Sequence, residues 1–137
     1  MAQIIEFIAN HWILSGLWVL VVLAILGYHS MASGSSLSPH QATLLVNHGS
    51  AVMVDIREKK DFDAGHITNA INIPMSRLKE RASELDKYKD NPIIIVCNMG
   101  QTATEAVTLL QKAGFEKVNR LKGGITEWRA QGLPLVS

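Results

Sequence analysis

Cys97 is the only cysteine of the 137-residue chain, and its neighbours are of types that make a sulfur reactive. The apolar run Ile93-Ile94-Ile95-Val96 leads into it. Asn98-Met99-Gly100-Gln101 follow as a short loop, and helix-forming residues begin at Thr102 and Ala103. Strand, loop and helix in that order aim the sulfur at the amino end of a helix, where backbone N–H groups lack partners and the dipole favours an anion. The thiolate is the nucleophilic form of cysteine, so the placement suits covalent sulfur chemistry. For an isolated residue the alternative is a small buried hydrophobe that only fills space. The loop carries no side-chain cation, since no Lys or Arg occurs between Asp90 and Glu105.

One cysteine excludes an intramolecular disulfide and a resolving cysteine in the same chain. Any disulfide or persulfide must therefore be exchanged with another molecule. One Cys and five scattered His give no metal-ligand spacing, so neither a metal nor another cofactor is expected. A net charge of +1 without a basic cluster argues against nucleic acid as a partner.

The elements that must hold Cys97 follow from punctuation and periodicity. Ser38 caps a helix opening with Pro39 and closed by Gly49, and residues 51–55 form a strand ending in Asp55-Ile56-Arg57. Residues 58–65 read as a charged turn, with Glu58-Lys59-Lys60-Asp61 as solvated surface. A strand over 71–73 stops at Pro74, and a helix over 76–85 has Ser76 as its cap. Residues 93–96 are a buried strand, 102–112 an amphipathic helix, 117–121 a strand, and 125–130 a last helix after Gly123-Gly124. Short strands alternating with helices predict an α/β fold, a parallel sheet with helices on both faces. Ligands bind beyond the carboxyl ends of such strands, where Cys97 falls. Asp55 and Arg57 end a strand near that face, either as a structural ion pair or with Arg57 supplying the cation the loop lacks. His66 reads as a hydrogen-bonded structural histidine.

The amino-terminal part differs in kind. Apart from Glu6, no charged residue precedes Asp55, and residues 12–28 read WILSGLWVLVVLAILGY. Extended to residue 4, the apolar stretch of about 25 residues is long enough, at ~1.5 Å per residue, to cross a ~30 Å hydrocarbon core. Trp12, Trp18 and Tyr28 suit the interfaces. A cleaved signal peptide is disfavoured, because no Lys or Arg precedes the run. The chain thus divides into a single transmembrane helix within residues 1–29, a small polar linker over 30–37 and a domain over 38–137. The reduced thiol favours a domain facing the cytoplasm, with the short amino-terminal tail outside.

Residues 37–135 resemble the rhodanese-like sulfurtransferase domain in its bacterial single-domain form. The resemblance rests on ordered pieces: Val54-Asp55-Ile56-Arg57, Gly65-His66-Ile67, Ala70-Ile71-Asn72-Ile73-Pro74, Ile95-Val96-Cys97 with Gly100, Ala113-Gly114-Phe115, and Leu121-Lys122-Gly123-Gly124-Ile125 with Trp128. The amino-terminal span is similar to that of membrane-tethered proteobacterial members, which implies the bacterial inner membrane, a lipid bilayer contact and a membrane-protein partner. The resemblance implies that Cys97 takes a sulfane sulfur from a donor, becomes a persulfide, and passes the sulfur to a thiol or other thiophilic acceptor. It also implies that the backbone of Asn98, Met99, Gly100, Gln101, Thr102 and Ala103 cradles the sulfur's charge.

The loop departs from the family, which often has an Arg five residues after the cysteine and sometimes one directly after it; here Thr102 and Asn98 stand there. Loss of a charge-assisted partner removes about 1.5–3 kcal/mol of binding to dianionic thiosulfate. A less charged persulfide donor loses less. The same neutrality keeps two alternatives open: a catalytically weak interaction module at the membrane, and a redox-sensing cysteine.

Overall fold

The computed structural model describes residues 1–32 and 35–137. The chain divides into two compact units, Met1–Ala32 and Ser33–Ser137.

The first unit is two helices, α1 (Ala2–Asn10) and α2 (Trp12–Ala32). Where the apolar pattern predicts one span, the chain bends by 94° between Ala2–Asn10 and Trp12–Tyr28. The break falls at His11, whose backbone leaves the helical region at φ −125° and ψ 42° while its N–H still caps the carbonyl of Phe7. Among the described residues no single helix is long and apolar enough to cross a membrane, whereas the bent pair together has the necessary length and composition. Most of the large apolar side chains described on both helices are exposed, Trp12 at 72% and Trp18 at 70%.

The second unit is built on a five-stranded parallel sheet in the order β1-β5-β4-β2-β3. Its strands are β1 (Ser35–Leu37), β2 (Val52–Asp55), β3 (Ile71–Asn72), β4 (Ile93–Val96) and β5 (Val118–Leu121). Strand β4 lies at the centre and is buried along its whole length, which explains its four consecutive β-branched residues. Alternation divides them between two cores. Ile93 and Ile95 pack with Leu78, Leu85, Val107, Leu110 and Phe115, while Ile94 and Val96 pack with Ala42, Met53, Leu121, Ile125 and Trp128. Helix α6 (Ala103–Lys112) covers the first face through Ala103, Ala106, Val107 and Leu110. Helices α3 (Pro39–His48) and α7 (Gly124–Ala130) contribute to the second. The start of α3 follows the expected signal. The Ser38 hydroxyl accepts from the Gln41 N–H, and the Gln41 side chain accepts from the Ser38 N–H, closing a capping box.

Three local expectations need correction. Residues 35–37, read as linker, form β1, pairing Ser35 with Asn119 and Leu37 with Leu121; residues 30–32 belong to α2, and the linker positions 33–34 lie outside the described residues. A three-residue polar edge strand has no alternating apolar pattern to betray it. The charged segment taken as a turn contains α4 (Lys59–Ala64). The helix expected over 76–85 is instead a 3-10 turn (Met75–Arg77), a short α5 (Leu78–Arg81) and a second 3-10 segment (Ala82–Tyr88), and Ser76 caps nothing. Leu78, Ala82 and Leu85 still reach the core, so burial holds this stretch despite its irregular winding.

Candidate active site

Strands β2 and β4 are neighbours, pairing Asp55 with Val96, so the residues that follow each strand emerge side by side at the carboxyl edge. The Ile56 N–H extends the ladder by donating to the Val96 carbonyl at 2.9 Å. Cys97 is the first residue beyond β4 and is 4% exposed. Its Sγ accepts the Gly100 N–H at 2.9 Å. That bond requires the loop to fold back on itself, and Gly100 does so at φ +89°, a region that favours glycine.

The loop is fixed from its other side by the start of α7. The Ile125 N–H donates to the Cys97 carbonyl at 2.8 Å, and the Asn98 carbonyl accepts from the Thr126 N–H at 3.0 Å and hydroxyl at 2.8 Å. Such close approach leaves no room at Gly124. A Cβ there would lie 2.2 Å from the Cys97 carbonyl oxygen, and Gly124 has φ +57°. The glycine pair of the sequence therefore positions the cysteine loop as well as shaping a turn.

A cavity of ≈ 330 Å³ opens at Cys97. Of the residues expected there, Asn98, Met99, Gln101 and Thr102 share its wall with Cys97. Gly100 is buried and gives its amide to the sulfur. Ala103 is fully buried as the first residue of α6, with its side chain in the core.

Arg57 also borders the cavity, but its guanidinium is committed elsewhere. Nε donates to both Asp55 carboxylate oxygens at 3.0 and 3.1 Å, and Nη2 donates to Asp55 Oδ2 and to the Gly65 carbonyl, each at 2.8 Å. Both side chains are nearly inaccessible, at 3% and 0%. Asn72 ties the same corner down through its amide, which donates to the carbonyls of Asp55 and Arg57. Of the two roles open to this pair, the geometry is that of a structural clamp joining β2, β3 and the turn at Gly65. His66 is likewise structural: its ring stacks on Phe62 with centroids 3.7 Å apart, and Nδ1 lies 2.8 Å from the Phe62 carbonyl.

Sequence reasoning missed Ile56, Glu58, Asp61 and Met75 in the cavity wall. Glu58, the exposed N-cap of α4, remains at the surface as its charge suggests, and it borders the cavity together with the half-buried Asp61, while Lys59 pairs with Asp63. The available signal was positional, since residues just beyond Asp55 must lie beside those just beyond Val96. Among the described residues, no three His, Cys, Asp or Glu side chains gather as a metal site.

Residues 38–131 match the family model described as the Rhodanese-like domain. The chain is 39% identical over 140 residues to the uncharacterized protein YibN of Escherichia coli K12, covering 99% of this chain and 98% of that protein. A solved rhodanese-related protein from Thermoplasma volcanium superposes with a TM-score of 0.66 at 30% identity, over 74% of this chain and 97% of its own. A thiosulfate sulfurtransferase from Pseudomonas aeruginosa has the same fold, with a TM-score of 0.69 at 23% identity, over 78% of this chain and 21% of its own.

Proposed function

The chain belongs to the rhodanese-like domain family, and from that premise we propose that it is a membrane-anchored sulfurtransferase working through a persulfide on Cys97. The observation that carries this reading is the Sγ of Cys97 at the carboxyl edge of a parallel sheet, bordering a cavity and accepting a backbone N–H at 2.9 Å. In the first half-reaction the Cys97 thiolate attacks the outer sulfur of a donor R–S–SH. The S–S bond breaks toward the donor, R–S⁻ leaves, and Cys97 becomes Cys97–S–SH. In the second, an acceptor thiolate attacks that outer sulfur and restores the Cys97 thiolate. The Gly100 amide, a fixed dipole, holds the sulfur in place without reorganising.

Anchorage is the second part of the proposal. It draws support from the charge-poor run before Asp55 and from the exposed apolar side chains of α1 and α2. An isolated water-facing surface of this kind is unfavourable at about 25 cal/mol per Å² of apolar area, and a bilayer removes that cost. We place the catalytic domain on the cytoplasmic side of the bacterial inner membrane, where a lone thiol stays reduced.

The test is steady-state sulfur transfer from a small persulfide to a thiol acceptor. The full chain should turn over, and Cys97→Ser should fall to the uncatalysed rate. A Cys97→Ser protein that transfers sulfur as well as wild type would dismiss the mechanism, and a cellular role surviving that change would favour a binding module.

A further inference from the structure

We propose that the sulfur partner of Cys97 is a cysteine or cysteine persulfide on a positively charged polypeptide segment, selected by Glu58 and Asp61. The inference rests on the sulfur-transfer reading and adds the substrate class. Three charged residues line the cavity: Arg57, Glu58 and Asp61. The Arg57 guanidinium is bonded along one edge to the buried Asp55 carboxylate, so that pair contributes little net charge to the wall. Neither Glu58 nor Asp61 has an ion-pair partner among the described residues. The cavity beside the nucleophile therefore carries two uncompensated carboxylates.

The other charges close in sequence do not cancel them. Lys59 is engaged with Asp63 on the exposed side of α4, and Lys60 is outside the cavity wall. Arg120 and Lys122 line a separate cavity of ≈ 190 Å³ with Met99, Gly100 and Gln101, and Cys97 is not in its wall. Dianionic thiosulfate must thus approach Cys97 past two like charges, whereas a Lys- or Arg-flanked cysteine is attracted. Met99, 64% exposed beside Cys97, adds an apolar contact that a polypeptide covers and a small inorganic ion does not. The step itself is unchanged: Cys97–S⁻ takes the outer sulfur of R–S–SH and R–S⁻ departs, with R the basic segment.

Three short peptide persulfides, flanked by two lysines, two serines or two glutamates, test the proposal with the full chain, each read as persulfide formed on Cys97. The lysine peptide should react about tenfold faster than the serine peptide and the glutamate peptide about tenfold slower, the scale of two surface charges acting on a charged ligand. Added salt should compress the series. In E58Q/D61N the ratio of lysine to glutamate rates should collapse toward one. Equal rates for the three peptides in wild type, or a series unmoved by salt, overturns the selection while leaving sulfur transfer intact. Failure of all three to modify Cys97 overturns the underlying reading as well. The wild-type series decides the question even if the double variant does not fold.

Discussion

At the scale of single residues, the Cys97 site depends on neighbours outside the cavity wall, Gly124 and Asp55. Gly124→Ala would push a methyl group against the Cys97 carbonyl, 2.2 Å away, and strain the backbone at φ +57°. Moving a reacting atom by about 1 Å costs on the order of a hundredfold in rate. Persulfide formation in Gly124→Ala should fall by that order, and a thermal melt would separate this loss from unfolding. Asp55 acts through Arg57. Asp55→Asn leaves the buried guanidinium without its counter-ion, a loss of about 3–5 kcal/mol in folding stability, measurable by urea titration. Thr102→Arg works in the opposite direction. Thr102 lines the cavity and is exposed, so a cation there should raise thiosulfate turnover about tenfold, the lower end of what a charge-assisted hydrogen bond contributes. No gain in thiosulfate kinetics would place the obstacle elsewhere than in the missing loop cation.

The elements divide into those the sequence specifies by itself and those that tertiary packing imposes. Strand β4 is legible at its full length because its four residues are apolar on both faces and the sheet is covered on both. Helix α6 is legible because Ala103, Ala106, Val107 and Leu110 repeat with helical spacing. Leu110→Ala should accordingly cost about 2–5 kcal/mol, as core truncations do, seen as a lowered urea midpoint. β1 was illegible because Ser35 and Ser36 carry no hydrophobic signal; its pairing with β5 exists only once β5 is in place. α4 was illegible for a related reason. Lys59-Lys60-Asp61 reads as solvent-facing whether helical or not, and only the adjacency of β2 and β4 reveals that Asp61 faces the cavity. The candidate site was therefore half visible: Cys97 and its loop from local sequence, its acidic wall from topology alone.

The whole molecule joins a rhodanese-like domain to a segment of a different solvent preference. The exposed apolar faces of α1 and α2 carry the proposal of membrane anchorage, and the bend of 94° means that this segment is no straight rod. The full chain should co-sediment with lipid vesicles, and a chain beginning at residue 33 should remain in the supernatant while still accepting sulfur from a soluble donor. Residues 33–137 form their own compact unit with two packed cores, which is why activity should survive the cut. Under the proposed anchorage, tethering would confine the proposed activity to partners near the bilayer by raising their effective concentration. The claim on which everything else stands concerns one sulfur atom. Fragment mass spectrometry of the Cys97 peptide, after incubating the reduced protein with a persulfide donor, should find one added sulfur on Cys97 that disappears when a thiol acceptor is supplied. An unmodified Cys97 with both persulfide and thiosulfate donors, in protein whose thiol still reacts with an alkylating agent, would contradict it.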